Sequence, residues 1–401
     1  MLDETLLDAP EDLARADARG LLRGAAQAGA HVRTGIRQAA EAGVDTLRPE
    51  GRPRALLVAG PGTAVACVTD LLGALTNGSL PVTGLRPTGA RATGDALRWT
   101  LPGWAGPLDL LLLVTPDGTE PGLPALLDQA YRRGCSVVAV TPRGTPLADA
   151  LGETRGLTLP PAPAPHASHS PPDHPGHPLD PAAPAAPPGG GPGTFWSLTT
   201  PLLLLCDRLG LTRSGPAELA GLADRLDEVA ERCGPAVPTY SNPGKTLAVE
   251  LAGSIPLLWS EGGVAGAAAR HWSAVLAALC GRPALTAGLP EALTAHGALL
   301  TGPFAPASGQ DDFFRDRVED EQTTRVRVVL LREAPPGGDS ATVPARDLAY
   351  AHGAALSELE PAEGSGPLEA AAELIATADF AAVHLTLADS DSPWAGRGTR
   401  A

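Results

Sequence analysis

Three stretches of the chain combine glycine or proline with small hydroxyl residues in a way that suits an anion: Gly60-Pro61-Gly62-Thr63, Thr115-Pro116-Asp117-Gly118-Thr119 and Thr141-Pro142-Arg143-Gly144-Thr145. Each follows a short apolar run, at Ala55 to Ala59, Leu110 to Val114 and Ser136 to Val140. Where a strand hands over to a helix, the first helical N–H groups are unpaired and carry the positive end of the dipole. Glycine lets backbone approach a ligand, and threonine adds hydroxyl donors. That set suits the phosphate of a small sugar, with Gly60, Gly62, Thr63, Thr115 and Thr119 as its candidate binding residues. Threonine, aspartate and glycine are also ordinary turn and cap residues, so the argument rests on three such loops sharing one sheet. A dinucleotide site is disfavoured, because Val65 stands at the third glycine position and no acidic residue ends the next strand candidate, Leu80 to Leu85.

The elements that must position these loops follow from hydrophobic patterning. Residues 11–42 lack proline and place Ala14, Ala18, Leu21, Ala25 and Ala28 at three- and four-residue steps, which predicts one or two amphipathic helices. Helices are expected over Ala64 to Leu75 and in a segment ending at Arg133-Gly134. Apolar strands alternating with helices predict a parallel sheet covered on both faces. Residues 161–194 are dominated by proline and alanine, with His166, His169, His174 and His177 interspersed. Such a composition cannot bury enough apolar surface to offset ordering, so a flexible linker is expected. No predicted helix or turn fixes the four histidines and no cysteine or carboxylate cluster joins them, so no metal site is expected. Beyond it, helices are expected at 195–211, 216–233, 265–279, 345–353 and 368–378, with strands at 254–259, 325–331 and 381–387.

The fold class read from this order is α/β, with two doubly wound parallel-sheet domains, each a three-layer α/β/α arrangement. The expected boundaries are 1–160 for the N-terminal helices and first domain, 161–194 for the linker, 195–389 for the second domain and 390–401 for a tail. At 401 residues and 43% apolar content the chain can fill two cores. The 45 acidic and 30 basic residues give a formal charge of −15, which argues against a nucleic-acid partner. The acidic start, Met1-Leu2-Asp3-Glu4, and the lack of any apolar run near ~18 residues predict a cytoplasmic chain with no membrane partner. Cys67, Cys135, Cys206, Cys233 and Cys280 form no C-x-x-C pair, so they are expected as small buried apolar residues. Lys245 is the only lysine.

The order of these loops and strands resembles a sugar isomerase (SIS) domain, and the second half is more specific. The run from Tyr240-Ser241-Asn242-Pro243-Gly244-Lys245 to Gly253-Ser254-Ile255-Pro256, followed by Arg270-His271-Trp272, Pro283-Ala284, Leu289-Pro290-Glu291, His296 and Asp379-Phe380-Ala381-Ala382-Val383-His384-Leu385, is similar to the bifunctional glucose-6-phosphate/mannose-6-phosphate isomerase family. The resemblance spans about residues 15 to 388. It implies aldose-ketose isomerisation to fructose-6-phosphate, a phosphosugar ligand, no metal or organic cofactor and a homodimer. It also places His296 at the family's catalytic histidine, with Arg270 among the substrate-binding candidates.

Isomerisation moves a proton between C1 and C2 through an enediol, which needs a carboxylate base and a proton carrier. At the position where the family has its glutamate, this chain has Ala278, and Asp117 stands where a serine would donate to phosphate. Two readings follow. Another acid, Glu261 or Glu291, serves as base beside His296, or the chain is a non-catalytic phosphosugar sensor or scaffold.

Overall fold

A computed structural model describes residues 2–49, 51–89, 97–154, 156–163, 191–305 and 324–389. Most of the 161–194 segment, including its four histidines, and the 390–401 tail lie outside the described residues. The chain divides into two compact units, Arg19–Asp227 and Met1–Ala18 together with Glu228–Ala401. Two short helices, α1 (Glu4–Leu7) and α2 (Pro10–Ala16), open the chain. They belong to the second unit, where the Asp3 amide donates to the Ala388 carbonyl.

The first unit contains α3 (Leu21–Ala26), α4 (Ala28–Glu41), β1 (Ala55–Ala59), α5 (Ala64–Leu75), β2 (Val82–Gly84), β3 (Asp109–Val114), α6 (Gly122–Arg132), β4 (Ser136–Val140), α7 (Pro146–Glu153), β5 (Leu157–Leu159) and α8 (Thr194–Arg208). Its five strands are all parallel, in the order β2-β1-β3-β4-β5. Every residue of β1 and β3 is buried, because helices cover both faces of the sheet, and so these strands read as unbroken apolar runs. Leu57, Ala59, Leu111 and Leu113 point to one face, into a core shared with Trp99, Leu123, Leu126 and Leu127. On α4, His31 Nδ1 lies 3.1 Å from the Gly193 carbonyl, and Arg208 of α8 donates to the Leu47 carbonyl. Thus α8, although it follows the segment expected as a linker, packs within the first unit, and the division of the chain falls inside α9 (Pro216–Cys233).

The second unit continues with α10 (Pro243–Leu251), β6 (Ser254–Glu261), α11 (Gly263–Val275), β7 (Leu285–Gly288), α12 (Glu291–Ala295), β8 (Arg325–Arg332), α13 (Thr342–Ala351), β9 (Ala355–Leu359) and α14 (Pro367–Ala388). Its sheet is parallel, in the order β7-β6-β8-β9, which repeats the first four positions of the other sheet. Leu257, Trp259, Val326, Val328 and Leu330 form its core with Ala292, Leu300, Ala345 and Ala349.

The fold class holds, with one correction to its elements. The strand expected at 381–387 is the last two turns of α14, a 22-residue helix buried on nearly all sides. By length and composition it could cross a membrane, with a mean hydropathy of 1.3, but 94% of that window is buried within the fold. Alanine-rich sequence favours helix, and full burial removes the polar face that would have betrayed the period.

Candidate functional site

In both sheets the strand order reverses between the first and third strands, and the crevice above the carboxyl ends of such a pair is where open α/β sheets bind ligands. In the first unit this pair is β1 and β3. Gly60 leaves β1 so close to the end of β3 that a side chain there would overlap the Val114 carbonyl oxygen. Gly62 then turns with φ +87° and Thr63 begins α5. Thr63 makes no side-chain cap, and the N–H groups of Thr63, Ala64 and Val65 have no protein acceptor among the described residues. They form an open concavity of donors at a helix N-terminus.

The loop after β3 is arranged differently. Thr115 is fully buried and its hydroxyl donates to Asp117 Oδ1 at 3.1 Å, while the Thr119 amide donates to the same oxygen at 3.2 Å. The Gly118 amide donates to Thr115 Oγ1, and Gly118, at φ +66°, leaves room for Thr141 and Thr145 to meet at 3.1 Å. Asp117 therefore turns inward on its own loop and engages donors of both Thr115 and Thr119. Gly60, Thr115 and the Thr141 loop do share one end of the sheet. A cavity of about 300 Å³ opens there, lined by Pro116, Pro142 and Arg143 on one side and by Gln38, Glu41 and Pro160 to Pro163 on the other.

The remaining candidates lie in the second unit. His296 caps α12 and is buried, and its Nδ1 accepts the Trp259 indole N–H at 3.0 Å. That bond places the proton of the neutral ring on Nε2, and burial pushes the imidazole below its ordinary range. Glu291 is an exposed first-turn residue of α12, and Arg270 is exposed on α11. Ala278 sits in a π-helical turn, Leu276–Cys280, with Leu276, Leu279 and Cys280 buried around it. Glu261, one of the alternative bases, accepts from the Ser340 and Thr342 hydroxyls and the Ala341 amide. Burial alone would raise its carboxyl; these donors outweigh that and hold it below the usual range, which suits an anchor more than a base.

Sequence reasoning missed a carboxylate at the second reversal point. After β6, Gly262 (φ +100°) leads into α11, and the amides of Val264 and Ala265 donate to Glu333 Oε2 at 2.6 and 3.1 Å. The signal available was the repeat itself: Gly262-Gly263 after β6 stands where Gly60-Pro61-Gly62 stands after β1. A cavity of about 740 Å³ in this unit, beside β9, is lined by Arg232 together with Glu250, Glu358, Glu360, Glu363 and Glu373, and Glu250, Glu358, Glu360 and Glu373 pair with Arg327, Arg346, Arg332 and Arg232.

The motif that carries the resemblance proves to be a framework device. Asn242 caps α10 by accepting the Lys245 amide at 2.9 Å and donates to the Gly234 carbonyl. Lys245 is fully buried, and its ammonium donates to the carbonyls of Pro235 and Val237 at 2.8 and 2.7 Å. Burial pushes its pKa down, opposed by the charge of Asp8.

Residues 240–393, which begin at this motif, match the family of bacterial phospho-glucose isomerase C-terminal SIS domains. Over those residues the chain is similar to that family. Solved structures share the fold over nearly the whole chain. A candidate phosphosugar isomerase from Clostridium difficile superposes with a TM-score of 0.61 at 11% identity, covering 95% of this chain and 96% of its own. Glucosamine-6-phosphate deaminase from Thermotoga maritima gives 0.54 at 12% identity, over 93% and 96% of the two chains. The C-terminal domain of glucosamine-fructose-6-phosphate aminotransferase from Francisella tularensis gives 0.53 at 10%, over 91% and 95%. No curated protein matches the sequence. At these identities the structural likeness concerns the fold alone.

Proposed function

We propose that the protein binds a phosphorylated sugar at the reversal point of the first sheet and does not turn it over. The observation that carries this is the open donor set of Thr63, Ala64 and Val65 above the Gly60–Val114 contact. A phosphate there replaces water on three unpaired N–H groups, and the sugar extends over the Thr115 and Thr141 loops toward the proline-lined cavity. Ala278 at the expected base position, and Glu261 tied up by its own donors, leave the proton transfer without a carboxylate in the expected place.

A second reading, isomerisation of glucose-6-phosphate or mannose-6-phosphate to fructose-6-phosphate, draws support from the family match over 240–393 and from the neutral ring of His296. In that reading His296 assists ring opening through Nε2 and Glu291 is the base. A homodimer in the cytoplasm, acting without a metal or organic cofactor, belongs to both readings.

Mixing purified protein with fructose-6-phosphate separates them. The expected outcome is saturable binding, weakened when Thr63 is changed to Val and Gly60 to Ala, with no glucose- or mannose-6-phosphate formed. Turnover that disappears in His296→Ala establishes the isomerase instead. Absence of both binding and turnover at millimolar sugar phosphate removes the basis of either reading.

A further inference from the structure

The two sheets repeat one order, so β6, β8 and α11 stand to the second unit as β1, β3 and α5 stand to the first. At the first reversal point the helix amides are open; at the second they are already engaged. Glu333, the residue after β8, turns its carboxylate onto the N-terminus of α11, where one oxygen accepts both the Val264 and Ala265 amides. The seat is shaped for it from below as well. Gly262 adopts φ +100° and ψ 162°, a conformation nearly confined to glycine, and a side chain there would overlap the Glu333 carboxylate. Two independent features, the amide pair and the missing Cβ, thus converge on a single negatively charged group.

We propose that Glu333 is a built-in anion that keeps the second unit's cradle closed, and that the cradle accepts a free oxyanion of the phosphate or sulfate class once that carboxylate is removed. The chemistry is a direct exchange. A carboxylate and a tetrahedral oxyanion accept from the same pair of N–H groups, and a second anion cannot approach them while the first is in place, because like charges at hydrogen-bond distance repel. The consequence is an asymmetry of charge between two otherwise repeated sites, written in a single side chain. It stands independently of the ligand proposed for the first unit.

The test follows backbone amide resonances of the full-length, isotopically labelled chain while inorganic phosphate is added. In the unaltered protein the Val264 and Ala265 amides should not respond. In Glu333→Ala they should show a saturable shift, and phosphate should raise the variant's melting temperature toward that of the parent. Glu333→Gln, whose carbonyl oxygen still accepts an amide, should stay silent like the parent. A saturable response at Val264 and Ala265 in the parent or in Glu333→Gln overturns the proposal, as does a folded Glu333→Ala that ignores phosphate. If Glu333→Ala folds only with phosphate present, the exchange is demonstrated; failure to fold in either condition counts against it. Shifts at Thr63, Ala64 and Val65 report the first unit, so the two ideas stand or fall separately.

Discussion

Gly60 is required for a reason of space. Its Cα lies against the backbone of Val114, and the adjoining Val65 Cγ2 would be 3.0 Å from an added Cβ, so neither neighbour can yield without moving β3 or α5. Gly60→Ala should therefore destabilise the protein by about 1–3 kcal/mol and weaken sugar-phosphate binding along with it. Gly73, inside α5 with open space around it, is the control. There the same change should raise the melting temperature slightly, because alanine stabilises a helix by roughly 0.5–1 kcal/mol. Equal effects at both positions in thermal denaturation would contradict the packing argument. Gly60 could be read from sequence because a glycine pair after an apolar run marks a strand-to-helix turn. Glu333 could not, since a single glutamate after a strand carries no pattern and its partner amides lie 68 and 69 residues away. Asp117 was intermediate: its departure from a serine was visible, whereas its inward turn onto Thr115 and Thr119 needed coordinates.

Among the elements, α14 has the largest consequence for behaviour in solution. His384 is fully buried in it, its Nε2 donates to the Cys233 carbonyl at 2.8 Å, and its Nδ1 has no partner among the described residues. Burial is the main cause that takes this imidazole from its ordinary 6.5 down to about 4; the Cys233 carbonyl opposes the shift and the charge of Lys245 adds to it. Since the folded value lies below the unfolded one, the unfolded chain binds the proton more readily. The stability contribution is complete above about pH 6.5 and is lost as pH falls toward 4, a change of about 3 kcal/mol for such a shift. Denaturant unfolding across that window should show the loss, and His384→Gln, which keeps a donor and cannot be protonated, should flatten it. Parallel slopes in parent and variant would rule out His384 as the source. The helix escaped sequence reading for the reason that makes it stable: an element apolar on every side has no helical period, and a seven-residue apolar window within it looks like a strand. Helix α5 and strand β1 emerged with their observed bounds because the turn between them is punctuated by glycine. The short strands β5, β7 and β9, partly exposed and flanked by loops, offered neither a run nor an alternation long enough to detect.

Across the whole molecule, the two parallel sheets and the burial of the five cysteines agree with composition and patterning. What composition could not convey was which of two repeated sites remains available to a ligand, because the answer depends on contacts between residues far apart in sequence. The burial of Lys245 has a different kind of consequence. Of the chain's 30 basic residues this is the one lysine, and its nitrogen is sealed beneath α10 against two carbonyls. Acylating reagents should leave it untouched while the second unit is intact and should modify it fully in denaturant, as peptide mass mapping would reveal; rapid acylation under native conditions would contradict its enclosure. Slow acylation in the absence of denaturant would then clock how often this half of the protein breathes open, giving a chemical stopwatch that needs no engineered probe.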